Sequence, residues 1–261
     1  ICAILCYIVC FKLTRERVEV PASSQKVSAS AIFKSIFTNR ALLGIIVAAI
    51  FVLLSQLTVM SLAGYVYPNV YGSAAAQSTA SLLGTVVMLI VCAPFASKLA
   101  AKFGKKELAV ASSICSALVW LVCLIWRPAS VWGFVACYIL ANIGMGFFNT
   151  IIWAMITDVI DDAEVRSGIR EDGTIYSVYS FARKLGQAFS SGLVGALLGI
   201  IGYTEATAFD PAVTRGIFNM ACIAPIVGFV CIVLALVFLY PLNKKKVEEN
   251  VAALAARRNN K

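Results

Sequence analysis

Histidine is missing from this chain of 261 residues. It is the side chain whose ordinary pKa lies closest to physiological pH, and it is the commonest metal ligand. Its absence excludes proton relays and metal sites that depend on imidazole. Charged residues are also scarce, at 13% of the chain, whereas soluble proteins carry about 25%. The shortage of charge argues against a soluble fold.

Catalytic sequence motifs are absent as well, since the chain has no H-E-x-x-H, no G-x-S-x-G and no P-loop. We therefore expect that it is not an enzyme, and an integral-membrane enzyme is only a less favoured alternative. Nine cysteines are present, but none forms a C-x-x-C pair and all lie in apolar segments. We interpret them as packing residues, because free cysteine behaves as a small apolar side chain. No metal site is expected.

Apolar residues are abundant, at 61% of the chain, against roughly 45–50% in soluble proteins. A helix needs about 20 apolar residues to cross a bilayer, and open sheets are excluded there because lipid offers the backbone no hydrogen-bond partners. The sequence thus predicts an all-α integral membrane protein with a six-helix transmembrane bundle. The predicted spans are roughly residues 41–63, 74–97, 108–126, 130–157, 173–201 and 217–240.

The spans divide the chain into four predicted parts. Residues 1–11 are apolar but too short to span, and we interpret them as the end of a preceding transmembrane helix, so that the chain is a fragment. A cleaved signal peptide is the disfavoured alternative, because no basic segment precedes it. Residues 12–40 predict a polar linker and 41–240 the six-helix domain. Residues 241–261 predict a frayed, charged tail, either solvated or in contact with anionic headgroups.

Basic residues predict the orientation of the bundle. When the loops are assigned alternately to two sides, all of the 22 Lys and Arg residues except Arg127 and Arg215 fall on one side. The positive-inside rule makes that side cytoplasmic. The linker 12–40 and the tail 241–261 are then both cytoplasmic. Short connections at 71–73 and 127–129 predict antiparallel neighbours.

The densest cluster of charge is a predicted loop over residues 158–173, which holds six of the thirteen acidic residues of the chain. Asp162 and Arg166 have the spacing of an ion pair on one helical turn. One hypothesis is a solubilised hairpin, because such exposed pairs contribute only about 0.3–0.5 kcal/mol each. The other is a gate of ion pairs that form in one conformation and open in another. Its candidate residues are Asp158, Asp161, Asp162, Glu164, Arg166 and Arg170.

Lys184 lies eleven residues beyond Gly173, which is about 16 Å along a helix. Ionisable groups at such depth usually face a polar cavity or a polar partner. Snorkelling to the membrane surface is the alternative, but helical spacing gives Lys184 a polar stripe of Ser177, Ser180, Gln187 and Ser191. The opposite side carries small residues that predict close helix packing, namely Gly192, Gly195 and Gly199.

A second polar stripe lies on the predicted helix 130–157, where Asn142, Gly146, Asn149, Trp153 and Thr157 recur at helical spacing. Amides donate and accept hydrogen bonds, and aromatic rings stack on the C–H faces of sugars, so this stripe suits sugar hydroxyls. Hydrogen bonding between helices is the alternative. The candidate substrate-binding residues are Lys184, Ser180, Ser177, Gln187, Asn142, Asn149 and Trp153.

The charged loop and the segment after it resemble one family of carriers. The stretch runs over residues 158–173, continues through Tyr176, Ser177 and residues 181–188, and ends at 202–203. In this order it resembles the loop and eleventh helix of the glycoside–pentoside–hexuronide:cation symporters, the melibiose-carrier branch of the major facilitator superfamily. The resemblance covers essentially the whole chain, as the carboxyl-terminal half of a twelve-helix major facilitator fold. One departure is Asp162, where members often carry an aromatic residue.

The resemblance implies a cation-coupled sugar carrier whose two six-helix halves rock around a central site. It implies that Lys184 faces the central cavity and that Arg170 and the acids form a cytoplasmic gate. The expected partners are a sugar or glycoside, the lipid bilayer and a coupling cation, H⁺ or Na⁺, bound mainly in the amino-terminal half; no cofactor and no nucleic acid are expected. The expected location is the plasma membrane of a bacterium, its inner membrane. A carrier of a lipid or uronate, and a non-transporting scaffold or sensor, are the alternatives.

Overall fold

A computed structural model describes residues 2–13, 39–168, 170 and 172–259, and every regular element within them is a helix. The chain divides into two compact units, residues 1–34 and 35–261. The first contributes helix α1 (Cys2–Leu13), the short apolar segment predicted at 1–11. Most of the predicted linker 12–40 lies outside the described residues.

The second unit is a series of long helices joined by tight turns. Helix α2 (Arg40–Tyr65) continues into a π-helical turn at Val66–Val70. Helices α3 (Ala74–Val87) and α4 (Ala93–Phe103) form one rod through the π-helical segment Met88–Cys92. They are followed by α5 (Lys105–Trp126), α6 (Val131–Ser167), α7 (Asp172–Ile200), α8 (Pro211–Leu234) with the π-helical segment Ala235–Leu239, and α9 (Lys244–Asn259).

Among the described residues, five rods are long and apolar enough to cross a membrane, namely Arg40–Val70, Ala74–Phe103, Lys105–Trp126, Val131–Ser167 and Pro211–Leu239. They confirm five of the six predicted spans. The sixth, 173–201, forms α7 almost within its predicted bounds, and its 29 residues extend about 43 Å. It is not among the apolar rods, because its charged and polar stripe lowers its hydropathy.

The rods pack into one bundle in which α2 lies against both α7 and α8, while α5 lies against α6 and α8. The contact of α2 with α7 depends on a glycine: a Cβ placed on Gly186 would lie 2.7 Å from the backbone oxygen of Ile50. The predicted packing glycines Gly192, Gly195 and Gly199 instead have open space around them within the described residues. The prediction was wrong about the face: Gly195 follows Ser177 by 18 residues, which is five full turns, so this glycine stripe lies on the same exposed side of α7 as Ser177 and Lys184. The face opposite the polar stripe is the buried one, and there Gly186 carries the close contact.

The predicted acidic loop is mostly helix. Helix α6 runs on to Ser167 and ends at Gly168, whose φ of 76° is left-handed, a conformation that glycine adopts without strain. Five of the six gate candidates therefore lie on the last three turns of α6, and Arg170 alone lies in the connection to α7. We call the end of the bundle where α4 and α6 end and α5 and α7 begin the basic end.

The tail is ordered as α9 rather than frayed, and it packs against the end of α6. Leu254 is buried, and Asn250 Nδ2 donates a hydrogen bond to Asp162 Oδ1 at 3.1 Å. The Arg257 guanidinium donates to the backbone oxygens of Glu164 and Val165 at 3.2 and 2.9 Å. A cation at these carbonyls offsets the partial negative charge at the carboxyl end of a helix.

Candidate functional site

Polar and aromatic side chains of α2, α6 and α7 meet in the middle of the bundle. Asn149 Nδ2 on α6 lies 3.4 Å from Gln56 Oε1 on α2, a long hydrogen bond. One turn further along α6, the Trp153 ring contacts the ring of Tyr179 on α7 edge to face, with centroids 5.5 Å apart. Arg183 Nη1 donates to Tyr179 Oη at 3.2 Å, and its guanidinium lies 5.4 Å from the Trp153 ring centre. We call these five residues the mid-depth cluster.

The depth of this cluster follows from helix geometry. Arg183 lies about 16 Å from the start of α7, and Trp153 about 21 Å from the end of α6 at the same basic end, at 1.5 Å per residue. The last three turns of α6 carry the charged residues of the basic end, and Trp153 lies about 8 Å along the helix beyond the first of them, Asp158. The cluster therefore lies inside the apolar part of the bundle. Trp153 is 48% exposed, so one side of the cluster is open.

Lys184 lies on an exposed face of α7, together with Ser177 and Ser180. Its ammonium donates a hydrogen bond to Gln187 Oε1 at 3.1 Å. The opposite face of α7 is the buried one and includes Tyr179, Gly186 and Ser190. The four predicted binding residues of this helix therefore share one face, next to the mid-depth cluster.

Asn142 is separated from the other candidates. Its Nδ2 donates to the backbone oxygen of Tyr138 within α6 at 2.8 Å. Its side chain borders a small cavity inside the bundle, between residues of α2, α5 and α8 that include Ser55, Trp120 and Phe229. The predicted stripe on α6 thus splits, because Asn149 and Trp153 approach α2 and α7 whereas Asn142 faces the interior.

Asp158 is paired with a residue of another helix rather than with Arg170. Only 6% of its side chain is exposed, and its Oδ1 lies 2.6 Å from Lys105 Nζ at the start of α5. Lys106 Nζ next to it donates to the backbone oxygen of Tyr240 at 2.6 Å. The basic segment before α5 contributes to the orientation predicted from the Lys and Arg distribution, and its lysines also join helices at the basic end.

Arg170 bridges the end of α6 and the start of α7. Its guanidinium pairs with Asp161 at 3.0 Å, with Glu164 at 2.8 Å and with Asp172 at 2.8 Å. Partial burial alone would lower the pKa of Arg170, but the hydrogen bonds to these carboxylates outweigh it and raise that pKa above its usual value. Asp161 and Glu164 lie on the last turns of α6 and Asp172 is the first residue of α7, all within nine residues of Arg170, so this cluster is local.

Asp162, the residue that departs from the family pattern, is buried. Its Oδ2 lies 2.8 Å from Arg166 Nη2, which is the ion pair expected from their spacing, and its other oxygen accepts from Asn250. It therefore joins α6 to the tail helix. Arg166 is half exposed, with 51% of its side chain accessible.

Sequence reasoning missed three residues of these clusters, Arg183, Tyr179 and Lys105, and it gave Gln56 only as a weaker candidate of the same type as the stripe on α6. Arg183 neighbours Lys184, Tyr179 precedes Arg183 by one turn, and Gln56 is a lone amide within an apolar span. Lys105 belongs to the basic segment before α5. Their roles in the fold depend on contacts between distant helices, which spacing on one helix does not reveal.

Within the described residues no group of three or more His, Cys, Asp or Glu side chains could hold a metal ion. The donors of the mid-depth cluster and of the Lys184 face are ammonium, guanidinium, amide, hydroxyl and indole groups. Such a set can hydrogen-bond and stack on a polyhydroxylated ligand.

Comparison with known proteins places the chain in a family. Residues 1–244 match the family described as MFS/sugar transport protein, and the chain belongs to this family of membrane transporters. The match confirms the resemblance to the glycoside–pentoside–hexuronide:cation symporters and the assignment of the bundle to half of a major facilitator fold. A multi-pass membrane protein follows from the family and the apolar rods together.

Several curated relatives are transporters by name. The glucuronide carrier protein homolog of Escherichia coli (strain K12) is 28% identical over 261 residues, which cover 99% of this chain and 56% of that protein. An uncharacterized symporter of Bacillus subtilis (strain 168) is 29% identical over 245 residues, covering 92% of this chain and 52% of the relative. A putative sulfoquinovose importer of Salmonella typhimurium is 27% identical over 252 residues, with 95% and 52% covered. The chain spans about half the length of these relatives.

Proposed function

We propose that this chain forms the carboxyl-terminal half of a secondary active transporter that carries a sugar or glycoside together with a cation by alternating access. The observation that carries the proposal is the polar face at mid-depth, where Lys184, Trp153 and Asn149 lie among apolar rods of a transporter fold. Polar groups at such depth are expensive in a membrane and usually mark a substrate path. Relatives named for glucuronide and sulfoquinovose support a sugar-type substrate.

The residues of this face have complementary roles in the proposal. Lys184 donates hydrogen bonds to sugar hydroxyls, with Ser177, Ser180 and Gln187 on the same face of α7 as further partners. Trp153 offers an exposed ring on which the apolar side of a sugar stacks. Asn149 contributes an amide that already makes one long bond to Gln56. Asn142 borders the internal cavity of the bundle and is not assigned to substrate binding.

The coupling cation, H⁺ or Na⁺, is assigned mainly to the amino-terminal half of the carrier. The acidic side chains of the described residues lie at the ends of the rods rather than at mid-depth. A carboxylate is the usual group that holds a proton or sodium ion inside a membrane. The carboxyl-terminal half therefore supplies sugar contacts, and coupling requires both halves.

The basic end is proposed to be cytoplasmic and to contain the gate. Asp158, Asp161, Asp162, Glu164, Arg166 and Arg170 lie there, next to the docked tail. The excess of Lys and Arg at this end supports that orientation, and a bacterial inner membrane is the proposed location. Opening would require the α6–α7 connection to separate from the facing half.

Uptake by the full-length carrier in proteoliposomes tests this function. A labelled methyl glycoside, a methyl uronide and a neutral sugar are each offered under an imposed proton gradient, a sodium gradient or neither. We expect accumulation under one of the two gradients and its loss when an ionophore dissipates that gradient. A reconstituted, folded carrier that accumulates no glycoside, uronide or neutral sugar under either gradient would show that the polar face serves another purpose.

A further inference from the structure

Arg183 is a cation whose partners in the described part of the chain are all neutral. It is half-buried near the middle of α7, its Nη1 donates to Tyr179 Oη at 3.2 Å, and its guanidinium lies over the rings of Trp153 and Tyr179 at 5.4 and 5.7 Å. Among the described residues, the ion pairs involve other cations. Its charge is therefore held by aromatic rings and one hydroxyl.

Most of the hydrogen-bonding capacity of Arg183 is open. A guanidinium has five N–H donors in a planar fork, and one of them is used by Tyr179. The next residue, Lys184, is a second cation, and its ammonium is bonded to the neutral amide of Gln187. Two adjacent cations with neutral partners at mid-depth create a site that favours an anion, because an uncompensated charge there is expensive.

We propose, building on the transport function above, that Arg183 determines substrate specificity by binding the carboxylate of a sugar acid, a uronic acid or its glycoside. The planar fork of arginine matches a carboxylate bidentately, which a lysine cannot reproduce. Trp153 lies beside the guanidinium and presents an exposed ring for the C–H face of the same sugar. Lys184 and Asn149 then bind its hydroxyls.

The cluster is built to hold Arg183 in place without neutralising it. Tyr179 Oη accepts from Nη1 and its ring packs against Trp153, so the guanidinium is positioned by contacts that leave the rest of its fork free. A structural arginine in a membrane would be expected to pair with a carboxylate, as Arg170 does at the basic end. The contrast between the two arginines favours ligand binding for Arg183.

The test compares two ligands that differ in one group, methyl glucuronide with a carboxylate and methyl glucoside with a hydroxymethyl group. Binding is measured on the full-length carrier for wild type, Arg183→Gln and Arg183→Lys, with folding checked by thermal unfolding. Wild type should bind the glucuronide at least about tenfold more tightly. Arg183→Gln should weaken glucuronide binding roughly 10–100-fold, the range for charged hydrogen bonds, and change glucoside binding less than about threefold.

Arg183→Lys keeps the charge and should give an intermediate glucuronide affinity, so it serves as the test if the glutamine variant does not fold. Arg215→Gln removes a charge at the opposite end of the bundle and should leave both affinities unchanged. The inference is overturned if wild type binds the two ligands equally, or if Arg183→Gln weakens both to the same degree, as expected for an arginine paired with the other half. Glucoside transport without glucuronide preference overturns the inference alone, whereas failure to transport either sugar overturns the proposed function as well.

Discussion

Charged side chains within this bundle are stabilised in three different environments. Asp158 is buried against Lys105 of another helix, Arg183 is stacked on aromatic rings, and Lys184 lies on an exposed polar face. The first arrangement neutralises the charge, and the other two leave it available. Arg183 and Lys184 lie next to each other near the middle of α7, whereas Asp158 and its lysine lie at the basic end.

Replacement of Lys184 by leucine tests the proposed binding face. An ammonium facing lipid at this depth would cost about 2.5–3.5 kcal/mol on insertion scales, and a cavity-facing one escapes most of that. Lys184→Leu should therefore insert and fold normally but lose substrate affinity or coupling. The loss of affinity is measured by substrate binding and the loss of coupling by uptake, both on the full-length carrier, with expression as the control. Normal affinity and coupled uptake would mean that Lys184 only snorkels.

Lys105 is expected to stabilise the bundle through Asp158. Removal of the lysine leaves a buried carboxylate without its cation, and breaking a fully buried pair costs about 3–5 kcal/mol. Because Lys105 is 32% exposed, we expect a smaller loss, roughly 1–3 kcal/mol. Thermal unfolding of Lys105→Met should show it, with the exposed Lys98→Met as the matched control. Equal unfolding temperatures for the two variants would show that the ion pair adds nothing.

At the scale of helices, α7 carries both the polar face and a close backbone contact with a neighbouring helix. Its buried face approaches α2 at Gly186, while Ser177, Ser180 and Lys184 remain open on the other face. One rod thus anchors the bundle and presents the site. Changes at Gly186 should alter stability first, and changes on the open face should alter binding first.

The Gly186→Ala variant tests this division. A Cβ would lie 2.7 Å from Ile50 O, so the two helices must move apart, which costs about 1–3 kcal/mol. The matched control is Gly195→Ala, where the added methyl group meets open space and alanine gains up to about 1 kcal/mol of helix propensity. Thermal unfolding should therefore show Gly186→Ala destabilised and Gly195→Ala unchanged or more stable. The reverse order would place the close contact on the glycine stripe predicted from the sequence.

The tail shows how tertiary contacts stabilise a helix whose first turn carries unfavourable charges. Helix α9 begins with three lysines, Lys244, Lys245 and Lys246, at the end of a helix where positive charge is unfavourable. It is nevertheless ordered, because Leu254 is buried and Asn250 bonds to Asp162. Tertiary contacts of this kind outweigh local preferences in most protein helices.

At the scale of the molecule, the proposed alternating access requires the basic end to open and close against a facing amino-terminal half. Arg170 ties α6 to α7 through three carboxylates at this end. These pairs join only α6 and α7, so the hairpin moves as one unit in the proposed gate. A change at Arg170, whose side chain is 36% exposed, should alter the population of open states through contacts that it makes with the facing half when the basic end is closed.

The Arg170→Gln variant should shift the carrier towards the inward-open state. Loss of interactions worth about 1 kcal/mol changes such an equilibrium roughly fivefold. The readout is the labelling rate, from the basic side, of a cysteine placed at Ser177 in a background without reactive cysteines. Lys246→Gln, which breaks an exposed pair with Glu249, is the control. Unchanged labelling together with normal transport would contradict the gate hypothesis and support the alternative of a solubilised hairpin.

The sequence alone determined the membrane class, the positions of the rods and the polar face of Lys184. These follow from composition and from the period of 3.6 residues, which are local properties of the chain. Tertiary structure decided the rest: that Asp158 pairs with Lys105, that Arg183 joins Trp153 and Tyr179, that Asn142 turns inward and that Gly186 carries the close contact. A helical period shows which residues share a face, but only the packing of distant segments determines what that face meets.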